Sequence, residues 1–591
     1  MPTNERFREQ RRQLLSLLAV ASAGLMSGCS LCARREVQPI CPTSPEVSFP
    51  SGPLTIDAHC HVFNGTDLQV KEFFSKVAVR QGGALGFGAQ VLGSILRTIA
   101  WGSAPSGEAE LRELRSLART LKSCTDKEHM VRVAALRQSA YANARQQLQS
   151  AAARTLEFQS LHDKRNMNFT ELDLLDAKTA AKINALRLIE ELPPEVDVYR
   201  SMRENKSLSP MALKGRSVQG LIDFILQNFQ YRYVSVHDYL KTYNEKGTRV
   251  VDLMLPSMVD YDFWLAEGDG TPTTLSTQVE VMRQIAVMTG GRVHGFVPFD
   301  PLRQVAFELQ HSPKDSYSLV VEAVQNHGCI GVKLYPPMGF AVMGNKDLKK
   351  KDGSPFWARD WLPKWTGSAD LGNRLDDAML RMLKWCEANE VPVMAHTNIS
   401  NGVTDDFEEL AGPKYWAPAL DAVPNLRVSF GHFGDTSPVE DGLSRARGFA
   451  ALMSTGFGVP GSRAFADAGY FVEVLKKQPE LLTNLRQLYE DSVPPGRAPL
   501  AARFMYGTDW EMTLTEGSID TYLADFVKLF DELEGRPAIR EQRMTNLAGR
   551  FFGGNAADWA GLRKGEQTRR RLDSFYARHG VSTPDWASKL G

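Results

Sequence analysis

The stretch Ile56-Asp57-Ala58-His59-Cys60-His61-Val62 predicts a β-strand that ends in an Asp-x-His-x-His motif. Side chains alternate between the two faces of a strand, so we expect Asp57, His59 and His61 on one face. Two imidazoles on one face can both reach one metal ion, and zinc accepts nitrogen ligands at about 2.0–2.1 Å. The alternative is a strand with two histidines and no metal, because His-x-His alone is a weak motif.

Two other histidines and an aspartate also close short apolar runs. The chain has 11 histidines in 591 residues; His396 ends the run from Val391, and His432 ends the run from Leu426. Asp509 follows a further apolar run in the same way. Strands that end in metal-binding side chains, with helical segments between them, are typical of the active face of a (β/α)8 barrel. The sequence therefore predicts an α/β fold, a (β/α)8 TIM barrel with a large helical insertion after strand 1.

The order His-x-His, His, His, Asp resembles the amidohydrolase superfamily of metal-dependent enzymes. Within it, the chain is most similar to the amidohydrolase 2 group, which includes hydrolases and the aminocarboxymuconate-semialdehyde-type decarboxylases. Three further phrases support the resemblance: Gly331-Val332-Lys333-Leu334-Tyr335-Pro336-Pro337, Tyr506-Gly507-Thr508-Asp509-Trp510 and Asn546-Leu547-Ala548-Gly549-Arg550-Phe551-Phe552-Gly553. The resemblance covers residues 52–75 and 245–555, which would form the barrel, and it omits residues 76–244.

The resemblance implies a metal centre. It would hold one divalent metal, with Zn2+ as the first choice, through His59, His61, His396 and Asp509. Asp509 would take a proton from a metal-activated water and pass it to the leaving group. His432 would act as an electrophile or as a hydrogen-bond donor to the substrate.

Lys333 has two interpretations. In binuclear members of the superfamily a lysine on strand four, carbamylated by carbon dioxide, bridges two metals, and His396 and His432 would then bind the second ion. In the mononuclear interpretation, which we favour, Lys333 lines the site or binds a substrate carboxylate. Three further residues are candidates for lining the substrate site: Tyr335, Asn398 and Trp510.

The segment between strands one and two is far longer than an ordinary loop. Residues 76–244 contain long runs with apolar residues at helical spacing, such as 131–156. Because they leave the carboxyl end of strand one, we expect them to form a lid or wall over the site; a scaffold for a homodimer is the alternative. Strand seven is predicted at 470–474. Residues 556–591 are predicted to be a peripheral C-terminal tail.

The amino terminus resembles an export signal. Residues 1–29 start with several arginines, continue in a short apolar run and end in Leu25-Met26-Ser27-Gly28-Cys29. Small residues before a cysteine resemble a bacterial lipoprotein cleavage box, which would make Cys29 the lipidated residue. Residues 30–51 would be a tether. The expected location is the cell envelope, at the periplasmic side of a membrane and by preference the outer membrane; Arg11-Arg12 leaves Sec and twin-arginine export both open.

Composition narrows the function classes. The chain has 69 basic and 69 acidic residues, so its charge gives no indication of a nucleic-acid partner. The first interpretation is a hydrolase of a small-molecule amide, ester or lactone, and the second is a decarboxylase of a small carboxylic acid. A non-catalytic binding lipoprotein of the cell envelope is the alternative of another class. The expected partners are a small-molecule substrate and a membrane reached only through the lipid anchor.

Overall fold

The computed structural model describes most of the chain from residue 52 onward. The described residues are 52–80, 83–122, 126–155, 159–164, 166–167, 171, 175–197, 200, 211–244, 249–434, 442–456, 458–491, 498–516, 519–535 and 546–590. The predicted signal, Cys29 and the tether lie outside them. In these ranges, no helix has the length and the apolar character needed to cross a membrane.

Eight short parallel strands form the centre of the fold. They are β1 (Ile56–Cys60), β2 (Leu253–Pro256), β3 (Phe296–Pro298), β4 (Gly331–Leu334), β5 (Val393–His396), β6 (Val428–Gly431), β7 (Ala464–Asp467) and β8 (Phe504–Met505). Strands β1 and β2 pair with each other, and β3 to β8 form a second sheet in sequence order. Every strand residue is buried, which suits parallel strands covered by helices on their outer face.

Backbone hydrogen bonds link the two sheets at both junctions. Between β2 and β3, the amide of Met258 donates to the carbonyl of Phe296, and a parallel bridge joins Ser257 to Phe296. Between β8 and β1, the amide of Ala58 donates to the carbonyl of Tyr506 at 3.0 Å. The fold is therefore α/β with parallel strands in sequence order, consistent with a TIM barrel.

Helices alternate with the strands. The longer ones are α1 (Gly83–Ile99), α2 (Gly107–Lys122), α3 (Asp126–Arg154), α4 (Ala177–Glu190), α5 (Met211–Asn228), α6 (Arg232–Asn244), α7 (Leu275–Met288), α8 (Pro301–Glu308), α9 (Ser316–Asn326), α10 (Leu371–Ala388), α11 (Gly442–Ala450), α12 (Gln478–Asp491), α13 (Tyr522–Glu534) and α14 (Gln567–His579). Local sequence sets their starts: α8 has proline at its first position, and the side chain of Asp300 caps it by accepting the amide of Arg303.

Helices α1 to α6 fill the long segment between β1 and β2, and the last of them is tied directly to the strands. The hydroxyl of Tyr239 on α6 donates to Asp57 of β1 at 2.6 Å. Ser235 on α6 donates to Glu511, which follows β8, at 2.7 Å. Helix α5 lies so close to residues 512–516 that a Cβ on Gly220 would meet the carbonyl oxygen of Thr515 at 2.4 Å. Helices α5 and α6 are therefore packed against the strands and their loops.

The expectation of a peripheral C-terminal tail is wrong. Trp559, Phe575 and Trp586 are buried in the same apolar cluster as Phe296 and other strand residues. The hydroxyl of Tyr576 and His294 form a hydrogen bond of 2.7 Å across this packing. The segment contains many charged residues, but Thr568, Leu572, Phe575 and Tyr576 recur at helical spacing and form a buried face of α14, which the overall polarity conceals.

Strand seven also differs from the prediction. The structure places β7 at Ala464–Asp467, and the predicted 470–474 forms the start of the following loop and helix. Strand β7 pairs in register with β6 and β8, with Ala466 opposite both Phe430 and Phe504. The run is only four residues long, so its apolar signal is weaker than that of the aromatic run that follows it.

Candidate metal centre

An irregularity in β1 decides which of its side chains face the site. The register between β1 and β2 shifts between Asp57 and Cys60. Ile56 and Ala58 belong to the inner apolar cluster, while His59 and His61 face Asp509. A bulge of this kind inserts one extra residue and reverses the alternation of faces beyond it. It brings the two histidines to the carboxyl end of the strands.

Asp57 lies apart from the two histidines, so the expectation that all three share one face is wrong. Its carboxylate accepts hydrogen bonds from the hydroxyls of Tyr239 and Thr508, each at 2.6 Å, and from the amide of Thr508 at 3.1 Å. Burial raises the pKa of Asp57 to about 7, although these donors lower it. Asp57 therefore ties helix α6 and the end of β8 to β1.

The hydrogen bonds of His59 and His61 fix their tautomers. Nδ1 of His59 lies 2.7 Å from Oδ1 of Asp467, and Nδ1 of His61 lies 2.8 Å from the carbonyl oxygen of Ser257. Both partners are acceptors, so each Nδ1 carries the proton and each Nε2 keeps its lone pair. Metal-binding histidines are held in this way by an acceptor on the second nitrogen.

Asp509 completes a group of three potential ligands. Among the described residues, His59, His61 and Asp509 are the set whose donor atoms all lie within 4.8 Å of one another, and all three are buried. Oδ1 of Asp509 lies 3.3 Å from Nε2 of His61 and 4.0 Å from Nε2 of His59. Neither nitrogen carries a proton, so neither contact is a hydrogen bond, and Oδ1 has no hydrogen-bond partner among the described residues. Electron-rich atoms converge here as they do around a cation, and a buried group of this kind can bind a metal ion.

Lys333 on β4 reaches the same place from the opposite side. Its Nζ lies 3.1 Å from Nε2 of His59 and is buried. Burial lowers the pKa of Lys333 to about 8, against the opposing charges of Asp509 and Asp467. Lys333 therefore lines the centre, as both of its interpretations require.

His396 and His432 form a second pair beside this group. Nδ1 of His432 lies 2.8 Å from the carbonyl oxygen of Gly469, so the proton is on that nitrogen. Nε2 of His432 then accepts from Nδ1 of His396 at 3.0 Å, and Nε2 of His396 faces the hydroxyl of Ser400 at 3.3 Å. His396 thus lies outside the group of three ligands, because it bonds to His432 and stacks on Tyr335.

Asp467 is the residue of the centre that the sequence analysis missed. It ends β7, and its Oδ1 accepts from the amide of His432 at 3.1 Å in addition to its contact with His59. Its Oδ2 accepts from the hydroxyl of Ser429. Burial raises the pKa of Asp467, but His59 and the other contacts outweigh it and hold the pKa at about 2. The signal that could have found it is the short apolar run Ala464-Phe465-Ala466 closed by a carboxylate.

Three glycines give the imidazole of His59 its room. A Cβ on Gly469 would lie 2.7 Å from Nδ1 of His59, and one on Gly431 would lie 2.8 Å from its Cε1. A Cβ on Gly507 would lie 2.9 Å from the Cβ of His59. Glycine is required at these positions because real Cβ atoms do not approach so closely.

A cavity of about 200 Å³ opens onto the centre. His61, His396, His432 and Asp509 line it, and so do Tyr335 and Asn398, two of the predicted lining residues. Helices α1 and α5 supply part of its wall, so the segment between β1 and β2 shapes access to the site. The following residues complete the lining: Phe63, Gly65, Leu68, Val70, Phe73, Phe74, Leu96, Phe224, Ile225, Asn228, Phe229, Tyr261, Ser400, Asn401, Tyr470 and Met512.

Trp510 lies away from the cavity, contrary to the prediction. Its ring packs edge-on against Tyr239 and Tyr243 of α6, and its side chain is buried there. Asp509 and Glu511 on either side have φ angles of 53° and 75°, so the chain turns sharply at this point. The turn sends Asp509 to the centre and Trp510 to the helices.

Comparisons with known proteins give only remote likenesses. No protein-family model matches the chain, and a comparison with curated proteins finds no match. An uncharacterised TIM-barrel protein from Bordetella bronchiseptica is 13% identical, with a TM-score of 0.29 over 65% of this chain and 91% of that one. An amidohydrolase from Burkholderia multivorans, solved with bound HEPES, is 12% identical, with a TM-score of 0.27 over 52% of this chain and 83% of that one. Likenesses at these TM-scores carry no argument about this chain.

Proposed function

We propose that the chain is a metal-dependent hydrolase of the amidohydrolase type, in which the eight strands close into a barrel. The observation that carries the proposal is the convergence of Nε2 of His59, Nε2 of His61 and Oδ1 of Asp509 on one point. Two unprotonated nitrogens and a carboxylate oxygen that has no hydrogen-bond partner among the described residues lie together in a buried place. The ammonium of Lys333, 3.1 Å from Nε2 of His59, contacts one of the three atoms, and a metal ion would bind them all.

The donor set fits a zinc ion, which prefers imidazole nitrogen and carboxylate oxygen. A divalent metal supplies a Lewis acid at such a site and lowers the pKa of a water molecule. The carboxylate of Asp509 lines the cavity beside the two histidines and is placed to accept a proton and to return it to the leaving group. His396 and His432 lie in the same wall, where the N–H of His396 is bound by His432 and the N–H of His432 by the carbonyl oxygen of Gly469.

A decarboxylase of a small carboxylic acid is the second candidate. Of the described residues that line the cavity, none is a lysine or an arginine, but the buried ammonium of Lys333 lies at the centre, 3.1 Å from Nε2 of His59. A substrate carboxylate could pair with that ammonium, whereas an amide, ester or lactone needs no such partner. Release of carbon dioxide from a small carboxylic acid would therefore favour the decarboxylase.

We propose one metal per chain, with Lys333 as a residue that lines the centre. The alternative is a binuclear centre, and the measured number of metals per chain distinguishes the two. A carbamylated Lys333 would add a carboxylate ligand, and His396 and His432 would then hold a second ion. Nζ of Lys333 lies 3.1 Å from Nε2 of His59. As an ammonium, Lys333 would repel a metal ion at that nitrogen; as a carbamate, it would bind one.

Two measurements on the protein and on its His59→Ala and Lys333→Ala variants test the proposal. The first is metal content by elemental mass spectrometry, and the second is turnover of a panel of neutral esters, amides and lactones. We expect close to one metal per chain, lost in His59→Ala and kept in Lys333→Ala, with turnover that depends on the metal. Close to two metals, falling in Lys333→Ala, would support the binuclear form. Protein without metal or turnover after loading would overturn the proposal and favour a binding protein.

We also propose export and lipid anchoring through Cys29, which rests on the sequence alone. A Cys29→Ala variant is expected to release the protein from the membrane fraction. A serine elsewhere in the same segment, Ser27→Ala, serves as a control because it keeps a small residue before the cysteine. Persistent membrane attachment of Cys29→Ala would contradict the proposal.

A further inference from the structure

Part of the cavity lining is apolar. It is formed by Phe73, Phe74, Leu96, Phe224, Ile225 and Phe229, which we call the apolar wall. These side chains are buried or nearly so. A polar or charged group placed against them would lose its hydration without a partner.

The hydroxyls of the three tyrosines in the lining have hydrogen-bond partners within the protein, and Tyr261 pairs with Tyr335. The hydroxyl of Tyr335 accepts from Nδ2 of Asn401 at 3.0 Å, and the hydroxyl of Tyr470 donates to Glu516 at 2.8 Å. Their polar ends are therefore bound within the protein. Their rings are what a ligand in the cavity would meet.

Asn228 on α5 is the exception within this wall. Its Nδ2 donates to the carbonyl of Phe224 at 2.8 Å, which fixes which end of the amide is oxygen. Its Oδ1 is buried and has no hydrogen-bond partner in the part of the chain that the structure describes, and the residue lines the cavity. A buried acceptor without a partner is costly, so a ligand that supplies a donor would recover that cost.

We propose that the substrate is a small neutral molecule with an apolar arm, and that the arm carries one N–H or O–H group that donates to Oδ1 of Asn228. This inference rests on the proposed function, since it places the scissile carbonyl at the metal centre. The apolar wall binds the arm, and Asn228 selects for the donor. A hydrophobic arm without a donor would bind more weakly, and a charged arm would be excluded.

Binding of hydroxamates to the metal-loaded protein tests the inference by calorimetry. The probes are acetohydroxamate, a series of linear alkanehydroxamates, and the same series with a terminal hydroxyl. We expect affinity to rise by about fourfold for each methylene that enters the apolar wall. At the length that reaches Asn228, the terminal hydroxyl should add about fivefold, the usual worth of one neutral hydrogen bond.

Two variants identify the residues responsible. Asn228→Leu should abolish the gain from the terminal hydroxyl while keeping the gain from chain length. Phe224→Ala should reduce the gain from chain length, whereas Phe307→Ala, which removes the same atoms from an exposed position, should not. Thermal unfolding of each variant checks that it is folded.

The outcomes separate this inference from the proposed function. If all variants bind acetohydroxamate equally and affinity does not rise along the alkanehydroxamate series, the apolar arm is overturned and the metal centre is left intact. A hydroxyl gain that persists in Asn228→Leu would overturn the role of Asn228. If no hydroxamate binds because the protein holds no metal, the proposed function fails. Neutral alkanamides of the same lengths need no metal for binding. Their affinities, compared across chain length and variants in the same way, then decide the apolar arm.

Discussion

Oδ1 of Asp467 lies 2.7 Å from Nδ1 of His59, and both side chains are fully buried. This contact joins the end of β7 to the histidine pair of β1. It sets the proton of His59 on Nδ1 and so leaves the lone pair of Nε2 to bind a cation. Asp467 is not one of the three potential ligands, yet it sets the tautomer in which His59 can bind.

Asp467→Asn is expected to weaken metal binding by about 10- to 100-fold, the usual effect of removing the partner of a metal-bound histidine. An amide can present a donor to Nδ1 and stabilise the wrong tautomer. Competition with a chelator of known affinity measures the change. Ser429→Ala is the control, because it removes a donor from Oδ2 and leaves the contact with His59 in place. Equal metal affinity in all three proteins would contradict this role.

Gly469→Ala is expected to lower the metal content while the protein remains folded. The added Cβ would lie 2.7 Å from Nδ1 of His59 and 3.1 Å from Oδ1 of Asp467, so it intrudes into their hydrogen bond. Gly270→Ala is the matched control, since a Cβ there meets no atom within 4 Å. Metal content by mass spectrometry and a thermal melt separate the two effects. Full metal loading of Gly469→Ala would show that the loop moves aside.

Tyr239→Phe is expected to destabilise the protein by about 1–3 kcal/mol, because it removes a donor from the buried carboxylate of Asp57. Tyr243→Phe on the same helix should cost much less, since no described residue forms a hydrogen bond with the hydroxyl of Tyr243. Urea unfolding of the two variants measures the difference. Equal stability of the two variants would show that α6 is not held to β1 through this bond.

Stability is expected to fall as the pH drops from 6.5 to 4, in part through His294. Burial lowers the pKa of His294 from 6.5 to about 4, while the carbonyl of Gly328 raises it. The unfolded chain therefore binds a proton in this window and the folded chain does not, so acid favours unfolding. The full effect of this group is about 3 kcal/mol.

A comparison of variants isolates the contribution of His294. His294→Asn should lose less stability than the wild type between pH 6.5 and 4, while His311→Asn, at an exposed position, should follow the wild type. Urea unfolding at a series of pH values gives the slopes. Parallel slopes for wild type and His294→Asn would contradict the assignment.

The sequence predicts the strands that end in His396, His432 and Asp509, because each has an apolar run before a polar side chain. It also indicates that the segment after β1 covers the site. The face of Asp57 could not be predicted, since a bulge between Asp57 and Cys60 leaves no mark in an alternating pattern.

Two further features depend on long-range contacts. Asp467 follows an apolar run that is shorter than the aromatic run after it. The pattern therefore predicts strand seven at 470–474 and misses the carboxylate that ends the real strand. The burial of Trp559 and Trp586 arises because they fill one end of the strand assembly, which local polarity does not reveal. Trp510 turns to α6 because the backbone on both sides adopts positive φ.

The metal centre combines residues of β1 with residues that follow β8, so it can form only after both have been synthesised. Asp57 and Thr508 are 451 positions apart, yet the amide of Thr508 donates to Asp57, and Asp509 follows directly. A ribosome makes His59 early and Asp509 late, so a growing or truncated chain has the two histidines without their carboxylate. Retention of the metal is then a test of whether the chain extends through Asp509: fragments that end before β8 should lose the metal to a chelator far more readily than the intact fold does.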